Sequence, residues 1–195
     1  MIIGAGGHGK VIADIALLNG YKKVEFLDDA VNTAVPTVGT VADYERFVAT
    51  HDFVVGIGNN AIRKRVMQRL TDSGASVVSL IHPRATIGSD VCIGQGTVVM
   101  AGSVINASTV VGDGVIINTC SSVDHDCTVG DFTHVSVGAH VAGTVTVGPG
   151  TMIGAGATVI NNLSVCADCM IGAGAVVVKD IKEAGTYVGV PAGRM

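Results

Sequence analysis

"IGSDVCIGQGTVVMAGSVINASTVVGDGVI", residues 87–116, decides the fold. Cut every six residues, it gives five hexads, each opening on Ile or Val. The phase runs back to Ile81 and on to Val177 without an insertion, seventeen hexads in register. Glycine often takes the second slot, and the fifth is usually small or β-branched. Chance does not keep seventeen aliphatics in phase. The period reads as a parallel β-helix, in which each hexad is one short strand plus a bend. The leading Ile or Val points inward, equal slots stack coil on coil, and glycines permit the bends. At three hexads per coil the run makes between five and six coils. It also explains a chain that is 48% apolar with 27 glycines and no Trp.

Ahead of the repeat the grammar differs. "MIIGAG" reads as a strand entering a glycine turn, and "HGKVIADIALLNG" has helical spacing with a glycine stop. "KVEFLDD" and "DFVVGIG" read as strands, "DYERFVA" as a helical turn or two. "NNAIRKRVMQRLTDSG" reads as a helix capped by Asn and closed by Gly74, and "SVVSLIH" as a fourth strand. Such alternation implies a parallel sheet flanked by helices. The expected organisation is a Rossmann-like α/β domain over 1–78 and a β-helix over 79–195. The first strand is short for its type, which points to a few residues missing ahead of Met1.

A net charge of −4 suggests neither a nucleic-acid partner nor an anionic membrane surface. No stretch reaches the roughly 18 unbroken apolar residues of a membrane span. The start lacks the basic and apolar regions of a signal peptide. An odd cysteine count of five, with no export signal, fits reduced thiols in the cytoplasm.

Three stretches could carry chemistry. "GAGGHGK", residues 4–10, fits the G-x-G-x-x-G pattern that cradles a dinucleotide pyrophosphate, and Asp28 stands where a ribose-binding acid belongs. A dehydrogenase would need a larger sheet than about 80 residues provide. "VDHDCT", residues 123–128, interrupts the repeat with Asp124, His125 and Asp126. A histidine beside a carboxylate makes a good general base, because the acid fixes the tautomer and supports the imidazolium. The plain alternative is a solvated polar bend. His134 and His140 share the sixth slot on adjacent faces, so three histidines within sixteen residues also admit a zinc-dependent hydratase of the γ-carbonic-anhydrase kind. Cys92, Cys127 and Cys169 read as packing residues. An acyl-cysteine at Cys120 stays open. "NNAIRKR", residues 59–65, offers basic groups to phosphate or is the solvated face of a helix, and the loop at Asn59 and Asn60, after a strand end, is the better ligand candidate.

Taken together, "IIGAGGHGKV", "FLDD", "GIGNN", "LIHP", "INT", "VDHDC", "HVSVGAH" and "GVPAGRM" resemble the NeuD/PglD family of hexapeptide-repeat acyltransferases over nearly the whole chain. The nearest resemblance is to the UDP-4-amino-sugar N-acetyltransferases of bacillosamine synthesis. GDP-perosamine N-acetyltransferases and sialic-acid O-acetyltransferases are the alternatives. The resemblance implies left-handed winding of the β-helix and direct transfer from acetyl-CoA without a metal. It implies a homotrimer with active sites between subunits and no nucleic-acid partner. It further implies that the glycine loop holds a nucleotide sugar, with contacts at Gly6, Gly7, His8, Asp28, Asp29 and Gly58. His125 would be the base and Asp126 would raise its basicity. His134, Ala155 and Ala173 would line the coenzyme A groove.

Overall fold

The computed structural model describes residues 1–195. Its first unit contains β1 (Ile2–Ile3), α1 (Gly7–Leu18), β2 (Phe26–Leu27), a 3-10 helix (Val41–Phe47), β3 (Asp52–Val55), α2 (Asn60–Asp72) and β4 (Ser76–Val77). The strands form one parallel sheet in the order β2-β1-β3-β4. Helix α2 starts where Asn59 accepts from the Ile62 N–H at 3.0 Å, and the chain leaves it through Gly74 at φ 76°. Both are the expected caps. Two glycines of the loop are fixed by packing. Gly4 has φ 109°, and a β-carbon on Gly9 would strike the Gly4 carbonyl oxygen, so α1 lies closer to β1 than any other residue allows.

The stretch "SVVSLIH" is two strands, not one. Ser76–Val77 closes the α/β sheet, whereas Leu80–Ile81 opens the repeat. The reason is a change of partner: the Val78 N–H donates to Phe53, and the Leu80 N–H donates to Thr97.

The repeat forms a three-faced prism of two-residue strands. The first face begins at Leu80–Ile81, the second at Thr86–Ile87 and the third at Cys92–Ile93. Each strand pairs in parallel with the strand one coil on, as Ile81 with Val99, Ile117, Val135, Ile153 and Ile171 in turn. From Val99 to Val177 every leading residue is at most 2% exposed. Each such burial is worth roughly 1.5–3 kcal/mol, which lets a core without large aromatics hold. The first three rungs, Ile81, Ile87 and Ile93, are only half-buried, because no full coil lies beneath them.

The slots divide the bending. The fourth residue of every hexad from Asp90 to Gly174 has φ between 55° and 70°, whether it is glycine or not. Second-slot glycines answer a different need: a β-carbon on Gly88 or Gly130 would lie 2.6 Å from the backbone of the next coil. Cys127 and Cys169 are buried in fifth slots, as packing residues should be. Cys92 is exposed instead, because it holds a sixth slot, whose side chain points away from the core. No helix is long and apolar enough to cross a membrane.

Candidate active site

The corner between the second and third faces carries "VDHDC". Val123 and Cys127 point inward and are buried, which leaves three polar residues to make the bend. Asp124 accepts from the Asn106 amide at 2.7 Å and from the His125 N–H at 2.8 Å, and these bonds hold its carboxyl below the usual range. Asp126 takes the left-handed fourth slot at φ 57°, which turns its side chain back toward its neighbour. The His125 Nδ1–H donates to Asp126 Oδ2 at 2.7 Å. A carboxylate only accepts, so the proton is on Nδ1 and the Nε2 lone pair is free. This bond raises the His125 pKa above its ordinary value. The arrangement can take a proton at Nε2 and stabilise the resulting cation.

Cys127 beside it is no nucleophile. Burial pushes its thiol pKa up, and Sγ donates to the Ala142 carbonyl at 3.2 Å. Cys120 lies on the corner between the first and second faces, so His125 of the same chain does not activate it.

A second polar centre lies where the α/β unit meets the prism. Arg63 of α2 is 1% exposed and has no carboxylate partner. Its Nε donates to the Gly114 carbonyl at 2.7 Å, and its Nη1 to Ile57 and Gly58 at 3.1 Å each. Nη2 donates to Asn60 Oδ1 at 2.9 Å and to the carbonyls of Phe132 at 2.8 Å and Thr133 at 3.4 Å. Asn60 adds a bond from its amide to the Gly150 carbonyl at 2.9 Å. Burial lowers the Arg63 pKa to about 10, so it stays cationic at neutral pH. His134 of the first face is 7% exposed, and the Asn118 amide donates to its Nε2 at 2.9 Å. That leaves the proton on Nδ1, which has no hydrogen-bond partner. The Gly58 backbone beside it opposes the downward shift without completing a bond. His8 in the glycine loop likewise has a buried Nε2 without a partner. Burial first, and the Arg63 charge second, push both imidazoles down to about 4.

These shifts have a sign. Unfolded histidine protonates near 6.5, while the folded pair resists until about pH 4. The unfolded state therefore binds more protons between those values, and folding stability falls as pH drops through that window. At the low-pH plateau the loss is on the order of 3 kcal/mol per imidazole. Urea melts from pH 7.5 to 4.5 should show the midpoint falling, and His134→Gln should flatten the curve. A midpoint independent of pH would contradict the burial described.

The other expected site residues fall as follows. Gly6, Gly7 and Gly58 have nothing within 4 Å of a built β-carbon, so the loop around His8 opens to space. Asp28 and Asp29 are already engaged. Asp28 accepts from the N–H groups of Ala5 at 2.6 Å and Ala30 at 2.8 Å, and Asp29 accepts from the Val41 N–H at 2.9 Å. The Asp28 carboxylate is thereby spent on its own loop, where a dinucleotide fold keeps such an acid for a ribose hydroxyl. Ala155 and Ala173 are exposed and stack one coil apart on the corner between the first and second faces. His134 sits with His8, Gly58 and Arg63. His140 lies out on the second face, its Nδ1 2.8 Å from Ser122 Oγ. No three His, Cys, Asp or Glu side chains converge in the chain as metal ligands would.

Sequence reasoning missed Arg63 and Asn118. For Arg63 the signal is present: it falls in phase with Val66, Met67 and Leu70, on the apolar stripe of α2. Neither reading of "NNAIRKR" fits it, while Lys64 and Arg65 are on the solvated side.

Residues 1–70 match the family model of the PglD N-terminal domain. The acetyltransferase domain of PglB from Neisseria gonorrhoeae FA1090 superposes with a TM-score of 0.95 at 41% identity, over 100% of this chain and 98% of that one. That domain is also known in complex with acetyl coenzyme A. PerB from Caulobacter crescentus, solved with CoA and GDP-perosamine, gives 0.95 at 37% identity over 100% and 95%. UDP-N-acetylbacillosamine N-acetyltransferase from Bacillus subtilis (strain 168) is 35% identical over 108 residues, 51% of this chain. That match spans half of the curated relative's length. The chain belongs to the NeuD/PglD family of hexapeptide-repeat acyltransferases.

Proposed function

We propose that this protein is an acetyl-CoA-dependent N-acetyltransferase acting on the 4-amino group of a UDP-linked amino-dideoxy sugar. The observation that carries the reading is the His125–Asp126 pair with Nε2 free on an outer corner of the prism. The bacillosamine relative and the PglB domain support the acetyl donor and the sugar class. PerB supports a second reading with a GDP-linked amino sugar. Residues 1–78 would present the acceptor and 79–195 the donor, in the cytoplasm, where five free thiols stay reduced.

A sugar amine is mostly ammonium at neutral pH and must lose a proton before it attacks. His125 Nε2 takes that proton, and Asp126 stabilises the imidazolium. The amine forms the new C–N bond at the thioester carbonyl, the C–S bond breaks, and the coenzyme leaves as thiolate, which takes a proton from the imidazolium, while the nitrogen gives its surplus proton to solvent. No acyl-enzyme forms. The orphaned His8 Nε2 and His134 Nδ1, with Arg63 behind them, line the acceptor's side.

The topology supports a shared site. Helix α2 grips the corner between the third and first faces, through Gly114, Phe132 and Gly150. His125 is on the corner opposite the first face, and a six-residue face of about 3.3 Å per residue is at most about 20 Å wide. One chain therefore holds its acceptor loop and its base on different sides of the prism. A homotrimer, packing prisms side by side, brings the base of one subunit to the loop of the next.

Release of coenzyme thiol from acetyl-CoA against UDP-, GDP- and CMP-linked amino sugars tests the function. Turnover with UDP-4-amino sugars is expected, and no release with any acceptor would end the reading. Mixed oligomers test the sharing. Gly6→Phe fills the open space over the loop, and His125→Ala removes the base. Each alone should be inactive. Trimers reassembled from both should regain about a quarter of wild-type activity, since each site draws its two halves from neighbours. No recovery would place both halves in one chain.

A further inference from the structure

Gly143 is the one glycine among the third-slot residues of the hexads from Pro83 to Ala173. It lies eighteen residues after His125, hence in the same slot of the next coil. The Thr144 N–H donates to the His125 carbonyl at 2.9 Å, which fixes that stacking. Glycines elsewhere in the prism serve the left-handed fourth slot or the crowded second slot. Gly143 serves neither, and its φ lies outside the left-handed region, so its backbone suits alanine. What a side chain there would meet is the catalytic ring. A β-carbon on Gly143 would lie 2.7 Å from His125 Cε1, 2.7 Å from Nε2 and 3.3 Å from Cδ2.

We propose that Gly143 is a positioning residue, whose missing β-carbon leaves the seat in which the His125 imidazole lies against Asp126. The inference rests on His125 being the general base. Real β-carbons essentially never approach heavy atoms within 3.0 Å, so one of the two groups must yield. The ring is the exposed end of a flexible side chain, while residue 143 is held in the coil by the Asn162 N–H bonding its carbonyl at 3.0 Å. A methyl at 143 therefore moves the ring, breaks the Nδ1–Oδ2 bond and displaces Nε2, yet leaves the prism intact. A base displaced by about an ångström costs up to about a hundredfold. The signature is lost turnover without lost stability.

The experiment compares Gly143→Ala, His125→Ala and the double variant in turnover, thermal stability and imidazole titration by NMR. Gly143→Ala should lower kcat by about tenfold to a hundredfold, with an unchanged melting temperature and unchanged KM for acetyl-CoA. The His125 titration should move down toward that of an unpaired imidazole. In the His125→Ala background the same change should cost nothing further, because it acts through the missing ring. Normal turnover in Gly143→Ala, an equal loss on top of His125→Ala, or a chain that fails to fold would each overturn the proposal. If His125→Ala itself turned over normally, the general-base reading would fall instead, and the two failures are distinct.

Discussion

His125→Ala is expected to lower turnover by about 10²–10⁴-fold, the range general bases supply, while acetyl-CoA still binds. The side chain is exposed and Val123 and Cys127 on either side carry the packing, so the fold should not notice the change. The pH profile identifies the group. The bond to Asp126 raises the His125 pKa, so the acid limb of kcat/KM should lie above the ordinary imidazole value near 6.5. Asp126→Asn removes the carboxylate acceptor and should move the limb to lower pH as well as slowing turnover. Stopped thiol release across pH 5.5–8.5 reads both. Turnover near the wild-type level in His125→Ala would remove the proton-transfer role and leave the corner as a solvated bend.

Arg63→Leu should lose about 3–5 kcal/mol of stability, because several part-buried and buried backbone acceptors lose one charged donor. The guanidinium has no counter-ion to release. What the change removes is the donor to five backbone carbonyls at the junction, of which only Thr133 keeps another, the Ile116 N–H at 3.0 Å. A buried acceptor without a partner costs about 1–3 kcal/mol. Arg63→Lys should recover little, because an ammonium has three donors on one point and lacks the planar fork that spans two structural units. Urea unfolding at pH 7.5 measures the loss. A midpoint equal to wild type in Arg63→Leu would mean that the α/β unit is held to the prism by its apolar contacts alone.

The prism was legible because its physics is periodic: one inward aliphatic every six residues is a signal repeated seventeen times. The left-handed slot was harder to see, because Asp90, Cys120, Phe132 and Asp168 occupy it as readily as glycine does. Tertiary closure overrides the local preference there. The His125–Asp126 pair could be read because its members are neighbours in sequence. The junction could not, because His8, Arg63, Asn118 and His134 come from four separated segments, and only the fold brings them together. Asp28 adds a contact that spacing alone does not reveal: its carboxylate accepts from the Ala5 N–H of the glycine loop at 2.6 Å.

The fourth slot has a consequence for how such scaffolds acquire new chemistry. Ala107 and Ser108 occupy the same corner as His125 and Asp126 one coil earlier, and Ser108 already has φ 60°. An imidazole and an acid grafted there, with glycine one coil on in place of residue 125, would inherit the same relative aim without any insertion or loop redesign. Reactive groups on this architecture are thus portable by point substitution along an edge, and evolution can try a new location with three codons changed.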